Sequence, residues 1–163
     1  MSTPITLNSS LSAQEIDAIE AQIAHLPDRE SAAIEALQIV QQARGWVSDD
    51  SLHATAQLLG MSDAALDSIA TFYNLIYRQP VGKHVVMLCD SVSCFVMDGD
   101  SVRRRVTEAL GIELGQTTKD GRFTCLPIVC LGACDRAPVM MVDDQLFGAD
   151  QLNDLDAILA RFK

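Results

Sequence analysis

The chain contains the stretch His84-Val-Val-Met-Leu-Cys-Asp-Ser-Val-Ser-Cys94, in which an apolar run ends at the first of two cysteines. The run from His84 to Cys89 has the length and the Val-rich composition of a buried β-strand. Such a strand carries Cys89 directly into a loop that also contains Cys94. The stretch therefore predicts an α/β unit whose first strand positions two thiols.

A second pair of cysteines lies in Cys130-Leu-Gly-Ala-Cys134, after a segment long enough for one helix and one strand. Each pair falls within one short loop, so both loops can turn their sulfurs towards a single point. Thiolates are protein ligands of Zn²⁺ and of iron–sulfur clusters. We therefore predict a metal site whose ligands are Cys89, Cys94, Cys130 and Cys134.

The spacing within the two pairs helps to distinguish these two kinds of site. Structural zinc sites favour gaps of two to four residues, commonly two, which wrap both sulfurs round one ion. The gaps here are four and three residues. Wider loops suit a [2Fe–2S] cluster, and plant-type ferredoxins also use a four-residue gap. The spacing favours one [2Fe–2S] cluster, with a non-redox interaction module holding structural zinc as the alternative.

The composition of the two loops is compatible with a cluster. Ser91, Ser93 and Gly132 are small and allow backbone N–H groups to approach the sulfurs. Neither loop contains Lys or Arg, although Arg136 follows closely. An acidic chain of this kind holds an additional electron weakly, so we expect a low reduction potential. The nearby run Arg103-Arg-Arg105 is predicted to be a solvated helix face.

The other reactive side chains indicate no catalytic site. Cys125 lies on a predicted strand and is interpreted as a buried structural cysteine. His25, His53 and His84 occupy separate elements and show no ligand spacing. The sequence has no Gly-x-Gly-x-x-Gly and no P-loop, and so no signal for a nucleotide or flavin site. We predict a chain with no complete active site of its own.

Composition restricts the partners and the compartment. The 163 residues include 12 basic and 22 acidic side chains, for a formal charge of −10, which argues against a nucleic-acid partner. No apolar run approaches the roughly 20 residues that span a bilayer, so no direct membrane insertion is expected. No secretory signal or transit peptide is evident. An odd number of cysteines without such a signal indicates reduced thiols in the cytoplasm.

Four amphipathic helices are predicted ahead of the cysteine-containing half. Residues 1–11 show no hydrophobic period and are interpreted as a flexible lead-in. The helices are expected to begin with caps at Ser12, Asp28, Ser48 and Ser62. Gly45 and Gly60 are expected to stop the second and third helices. The pattern indicates a small helical bundle over residues 1–79.

Residues 80–163 are predicted to form the α/β unit. A helix capped by Asp98 or Asp100 follows the strand at 84–89, and strands are expected at 122–126, 139–142 and near 146–147. A helix over 150–161 ends the chain. A strand, a helix, a strand, a hairpin and a helix in this order suit a thioredoxin-like unit. The predicted fold class is α/β with an α-helical N-terminal part.

Several segments of the sequence carry a family resemblance: Glu35-Ala-Leu-Gln-Ile-Val-Gln-Gln-Ala-Arg-Gly-Trp-Val47, Ala70-Thr-Phe-Tyr73, Arg78-Gln-Pro-Val-Gly-Lys-His84, Cys89-Asp-Ser-Val-Ser-Cys94, Gly121-Arg-Phe-Thr124 and Cys130-Leu-Gly-Ala-Cys134-Asp135. With these segments, the sequence resembles the thioredoxin-like [2Fe–2S] subunits of the NADH-dehydrogenase module of respiratory complex I. The likeness covers nearly the whole chain, and it departs from the family at Cys125 and in the segment 95–101.

The resemblance implies a ligand set and a partner. In a member of this family, Cys89, Cys94, Cys130 and Cys134 would each ligate the [2Fe–2S] cluster. The chain would pack against a larger one that binds NADH, FMN and a [4Fe–4S] cluster. Its cluster would exchange one electron with the FMN and would lie off the main electron path to quinone. Such a complex would hold the chain at the inner face of the bacterial cell membrane.

The resemblance leaves a second assignment open. The same module recurs in NAD-linked hydrogenases and formate dehydrogenases, where the equivalent chain is a diaphorase subunit. The sequence of Arg78-Gln-Pro-Val-Gly82 is more similar to that of the complex I subunits than to that of the hydrogenase or formate dehydrogenase subunits. The diaphorase subunit is therefore the second expectation.

Overall fold

The computed structural model describes residues 11–163, which fall into two compact units. One unit ends at Pro80 and the other comprises Val81–Lys163. The predicted lead-in over residues 1–11 lies outside the described residues except for Leu11, which is buried. Within the described part of the chain, no helix is long and apolar enough to cross a membrane.

Over the residues that the structure describes, the first unit contains four α-helices. They are α1 (Ala13–Ile23), α2 (Ala33–Arg44), α3 (Asp49–Leu59) and α4 (Asp63–Phe72). Ser12, Ser48 and Ser62 cap α1, α3 and α4 through their side chains, as predicted. Gly45 and Gly60 end α2 and α3 in the left-handed conformation, at φ 84° and 77°.

The start of α2 differs from the prediction. Asp28 accepts hydrogen bonds from the backbone and hydroxyl of Ser31, both at 2.8 Å, and the chain then makes a 3-10 turn at Glu30–Ala32. The α-helix begins only at Ala33, where no side chain caps it. The predicted cap of the second helix at Asp28 is therefore wrong, because Asp28 bonds Ser31 within the turn that precedes α2.

The apolar faces of these helices form one core. Ile19, Leu37, Val40, Leu59 and Leu66 are almost completely buried in it. These side chains recur at helical spacing on their respective helices, so one stripe of each helix faces inward. Burial of each large aliphatic side chain stabilises the unit by about 1.5–3 kcal/mol before entropy is considered.

A partly buried ion pair joins α1 to α2. Glu15 is 5% exposed and accepts from Arg44 through both oxygens, with Oε1 to Nε at 2.6 Å and Oε2 to Nη2 at 2.7 Å. The Arg44 guanidinium lowers the pKa of the Glu15 carboxyl to about 2, and the Ser12 backbone and hydroxyl add to this effect. Glu15 also closes the capping box with Ser12 at the start of α1.

Glu15→Gln should destabilise the first unit by about 1–2 kcal/mol at pH 7, because the pKa of Glu15 falls from an ordinary 4.5 to about 2 but solvent at the partly exposed Arg44 weakens the interaction. A carboxyl with a lowered folded-state pKa stabilises the fold above pH 4.5, and this contribution disappears as the pH falls towards 2. The variant should therefore lose much of the acid sensitivity of the wild type. Urea unfolding followed by circular dichroism at pH 7 and pH 3 measures both effects.

Glu20→Gln is the matched control for this prediction. The Glu20–Arg29 pair also involves a bidentate contact, but both side chains are 43% exposed. Exposed pairs contribute only about 0–1 kcal/mol. Equal, small effects of the two variants would contradict the role given to Glu15.

The second unit combines a four-stranded sheet with helices. Its strands are β1 (His84–Cys89), β2 (Phe123–Ile128), β3 (Met140–Val142) and β4 (Gln145–Phe147), in the spatial order β2-β1-β3-β4. β1 and β2 are parallel, and the β1–β3 and β3–β4 pairs are antiparallel. The helices are α5 (Val92–Val96), α6 (Gly99–Leu110) and α7 (Leu155–Ala160).

The apolar core of this unit lies between the sheet and the two longer helices. Val86, Met140 and Val142 on the strands and Val106 on α6 are fully buried in it. Side chains of α7, including Ile158, close the core. The helix α6 forms the crossover between β1 and β2, which parallel neighbouring strands require.

The parallel register fixes where both cysteine loops begin. Cys89 and Ile128 are partners at the carboxyl ends of β1 and β2. Carboxyl ends of parallel neighbours lie at the same edge of a sheet. The two cysteine loops therefore leave the sheet side by side.

In the second unit, the structure differs from the sequence prediction in three places. α5 was not predicted and lies within the first cysteine loop. α6 begins at Gly99, after Asp98, whose φ is 67° and whose side chain makes no capping hydrogen bond. The predicted helix over 150–161 is a 3-10 turn at Leu152–Asp154 followed by α7, which Asp154 caps.

Candidate metal centre

The first cysteine loop turns back on itself in a short helix. Cys89 is the last residue of β1, and Cys94 lies within α5. The Asp90 N–H donates to the carbonyl of Ile128 at 2.8 Å, which joins this loop to the end of β2. Cys89 and Cys94 are both buried.

The second cysteine loop follows β2 and is more open. Gly132 has a φ of 75°, a conformation that favours glycine, and its N–H donates to Sγ of Cys130 at 3.3 Å. Cys134 opens a 3-10 turn that ends at Arg136, and the Ala137–Pro138 peptide bond is cis. Cys130 and Cys134 are exposed.

The structure brings the thiols of the two loops together. The Cys89 thiol is within hydrogen-bonding reach of Cys94, in its own loop, and of Cys130, in the other loop. Cys94 also interacts electrostatically with Cys134. All four predicted ligands thus belong to one connected set. Among residues 11–163, no three His, Cys, Asp or Glu side chains are grouped closely enough to hold a metal ion as they stand. The four thiols are therefore connected pair by pair.

The pKa values of the two buried thiols differ in direction. Burial raises the pKa of Cys89, but backbone hydrogen bonds from Leu131 and Ser91, together with the Cys94 and Cys130 thiols, outweigh burial and lower it. Burial and the adjacent Cys89 raise the pKa of Cys94 to about 11. The surroundings therefore favour the thiolate of Cys89 and the protonated thiol of Cys94.

The donors around the sulfurs fit an iron–sulfur cluster. Backbone hydrogen bonds reach the sulfurs of Cys89, Cys94 and Cys130. Such N–H groups stabilise the negative charge of thiolates that ligate iron. Apolar side chains, including Val139 and Leu131, pack beside the buried pair. Four thiols with these neighbours can hold a group that carries one electron.

Cys125 lies apart from this set. It is fully buried on β2 within the core between the sheet and the helices, whereas Cys89 and Cys94 belong to a separate cluster of buried side chains. Burial raises the pKa of the Cys125 thiol to about 11. This environment agrees with the interpretation of Cys125 as a structural cysteine.

The three histidines occupy separate places, as their spacing predicts. Nδ1 of His53 is 2.8 Å from Oδ2 of Asp63 in the first unit. Nδ1 of His84 is 2.7 Å from Oδ2 of Asp143 in the second unit. His25 follows the end of α1. None of them is placed with the four thiols.

Two features near the cysteines were missed by the sequence analysis. An ideal Cβ on Gly99 would lie 2.7 Å from the carbonyl oxygen of Cys94, so only glycine fits there. Arg103 donates to Asp90 at 2.5 Å, and Arg105 donates to the carbonyl of Leu152 at 2.6 Å. The predicted solvated face is therefore wrong for Arg103 and Arg105. Neither feature carries a local sequence signal, because the contacts arise from tertiary packing.

The fold and the four thiols define a class of protein. The model of the family described as thioredoxin-like [2Fe–2S] ferredoxin matches residues 19–163. The chain belongs to this family. The predicted family resemblance and the predicted fold class, a thioredoxin-like α/β unit preceded by helices, are both confirmed.

Curated relatives within this family share one name, the E subunit of NADH-quinone oxidoreductase. The relative from Pseudomonas aeruginosa is 48% identical over 138 residues, which cover 85% of this chain and 83% of the relative. The relative from Escherichia coli strain K12 is 44% identical over 160 residues, covering 98% and 96% of the two chains. The similarity thus includes the helical unit as well as the sheet.

Solved structures share the fold at lower identity. A chain of an NAD⁺-reducing [NiFe]-hydrogenase, crystallised in the H₂-reduced state, matches with a TM-score of 0.64 and 20% identity. The air-oxidised state of such a hydrogenase gives a TM-score of 0.62. The match covers 77% of this chain and 22% of the hydrogenase chain, so the present chain spans about a fifth of that longer one. This likeness shows the fold alone.

Proposed function

We propose that the chain is the electron-transfer subunit of the NADH-dehydrogenase module of respiratory complex I. It carries one [2Fe–2S] cluster on Cys89, Cys94, Cys130 and Cys134 and exchanges a single electron with FMN on a partner subunit. The observation that carries the proposal is that Leu131 and Ala133 of the second cysteine loop pack against the buried cluster that contains Cys89 and Cys94, which brings the four thiols of the two loops together. Support comes from the relatives named as the E subunit of NADH-quinone oxidoreductase, which are similar over most of the chain.

The protein groups have defined tasks in this function. When bound, the cluster supplies a site that accepts and returns one electron. Backbone N–H groups of Ser91, Leu131 and Gly132 hold negative charge on the sulfurs. The apolar side chains beside Cys89 and Cys94 exclude water from one side of the site. The exposed Cys130 and Cys134 leave the other side accessible to a redox partner.

Exposed apolar side chains surround the cysteines. In the second unit, the exposed large hydrophobic side chains all lie within or directly beside the cysteine loops: Val92, Phe95, Val96, Met97 and Val129. We call this set the loop patch. Exposed apolar clusters of this kind mark protein interaction sites. The loop patch is suited to dock the FMN- and NADH-binding subunit, which also carries a [4Fe–4S] cluster, against the cysteine loops.

The partner must perform the two-electron chemistry. The chain offers no nucleotide-binding motif, and its four thiols serve the cluster. Oxidation of NADH therefore takes place at FMN on the partner, and electrons continue from there to quinone. Assembly into this complex would keep the chain in the cytoplasm, peripheral to the inner face of the bacterial cell membrane.

The diaphorase subunit of an NAD-linked hydrogenase or formate dehydrogenase is the second candidate. It is kept because a chain of an NAD⁺-reducing hydrogenase shares the fold, at 20% identity. Purification of the intact complex from native cells separates the candidates. Complex I yields NADH-dependent quinone reduction in the fraction that contains this chain. Co-purification with hydrogen- or formate-dependent NAD⁺ reduction would favour the second candidate.

Docking of the partner can be tested with Phe95→Asp. Phe95 is 65% exposed in the loop patch, and a carboxylate there should abolish stable association by burying an uncompensated charge. The wild type is mixed with the FMN-binding subunit and excess NADH, and NAD⁺ is removed enzymatically so that reduction is favoured. It should then show the EPR signal of a reduced [2Fe–2S] cluster. The variant should give that signal with dithionite but not with NADH.

Phe72→Asp is the matched control for the docking test. Phe72 is also an exposed phenylalanine, at 77%, but it ends α4 in the first unit. This variant should retain reduction by NADH. Reduction of the wild-type cluster by NADH without the partner, or no reduction with an active partner, would contradict the proposed function.

A further inference from the structure

Arg103 on α6 is held against the first cysteine loop. Its Nη2 donates to Oδ1 of Asp90 at 2.5 Å, and its Nη1 lies 3.9 Å from Oδ1 of Asp100. The side chain is only 33% exposed. The contact joins residues 13 positions apart, so it fixes the loop to the helix rather than stabilising the helix alone.

The position of Arg103 brings its charge close to the thiols. Asp90 directly follows Cys89 in the chain, and Arg103 and Cys89 line the same small cavity together with Gly99 and Val139. The guanidinium also interacts electrostatically with the buried Cys125 on β2. A fixed positive charge is thus located beside the buried half of the ligand set.

The other nearby cations are directed elsewhere. Arg136, which follows Cys134 closely, donates to Oε1 of Gln151 at 2.6 Å and packs against Gly148. Arg105 donates to the backbone carbonyl of Leu152. Arg104 is exposed on α6. Of these arginines, Arg103 is the one whose side chain is bonded to a residue of a cysteine loop, whereas Arg136 reaches its own loop only through its backbone N–H, which donates to Ala133.

We propose that Arg103 is a positioning residue that sets the reduction potential of the cluster through its ion pair with Asp90. The inference rests on the proposed function, in that Cys89 and its partners must hold a [2Fe–2S] cluster. Reduction adds one negative charge to the site, and a fixed cation beside Cys89 stabilises that charge. Removing the cation leaves Asp90 and Asp100 uncompensated, which opposes reduction.

The test is an EPR-monitored redox titration of the purified chain. Arg103→Gln should lower the equilibrium constant for reduction about three- to tenfold, which corresponds to about 28 to 59 mV at 59 mV per tenfold. Asp90→Asn removes a negative charge and should shift the potential in the opposite direction. Arg103→Lys keeps the charge and should lie closer to the wild type than Arg103→Gln.

Two further variants separate the electrostatic effect from a disturbed fold. Arg104→Gln removes an exposed charge from the same helix. It should change the reduction potential by only a small fraction of the change caused by Arg103→Gln. The double variant Arg103→Gln/Asp90→Asn restores the charge balance and should return towards the wild type. If Arg103→Gln loses the cluster, the Asp90→Asn shift still decides the proposal.

The outcomes distinguish this inference from the proposed function. A wild type without a cluster would contradict the function itself. A wild type with the cluster, in which Arg103→Gln and Asp90→Asn leave the potential unchanged or shift it in the same direction, would overturn the role of Arg103 alone. Equal shifts for Arg103→Gln and Arg104→Gln would also overturn it.

Discussion

Cys89→Ser and Cys134→Ser should each abolish binding of the [2Fe–2S] cluster, whereas Cys125→Ser should retain it. A serine hydroxyl is a much poorer ligand for iron than a thiolate, and the two positions represent both loops and both the buried and the exposed thiols. Purified wild type should be brown, with about two iron and two acid-labile sulfide per chain, and should show an S = 1/2 EPR signal on reduction.

Cys125→Ser makes the same chemical change outside the ligand set. Cys125 is fully buried, so its hydroxyl costs about 1–3 kcal/mol of stability without a hydrogen-bond partner. Thermal unfolding should report this loss while the iron and sulfide contents stay at the wild-type level. Equal loss of iron in all three variants would contradict the ligand assignment. A colourless wild type that holds one zinc would instead favour the non-redox interaction module.

Gly99→Ala should weaken the site without touching a thiol. Its Cβ would lie 2.7 Å from the carbonyl oxygen and 2.9 Å from the carbonyl carbon of Cys94, and both atoms belong to the backbone. Either α6 or the short helix that carries Cys94 must move, at a cost of about 1–3 kcal/mol. We expect a lower iron content and an altered EPR line shape, measured beside the unfolding free energy in urea.

Gly82→Ala provides the matched control. A Cβ there would lie 2.9 Å from the carbonyl oxygen of Gly121 and 2.9 Å from the carbonyl carbon of Phe123, near the amino end of β1. This variant should lose comparable stability and keep the wild-type cluster spectrum. If both variants changed the spectrum equally, the effect would reflect general destabilisation, and the specific role of Gly99 would be wrong.

The elements that could be predicted from sequence are those with local signals. The serine caps at Ser12, Ser48 and Ser62 and the strand that ends at Cys89 are each determined by a few adjacent residues. The thiols could be identified as one site because cysteines in paired loops are distinctive in sequence. The ligand role of each cysteine remains a prediction that the variants above test.

The features that could not be predicted depend on partners distant in sequence. α5 has five residues, too few for a hydrophobic period, and it packs against Gly99. The pairing of Arg103 with Asp90 joins a helix to a loop, and an arginine-rich run by itself indicates only charge. The strand order β2-β1-β3-β4 follows from the packing of the whole unit. Each depends on tertiary structure rather than on local preference.

The in-register pairing of β1 with β2 holds the bases of both cysteine loops through the protein backbone alone. Cys89 and Ile128 are partners in the sheet, and the Asp90 N–H donates to the Ile128 carbonyl. The core beneath the sheet contains none of the four thiols assigned to the cluster. Small zinc domains, by contrast, unfold when their metal is removed. Chelation should therefore leave this unit folded, with its thiols already grouped for reconstitution.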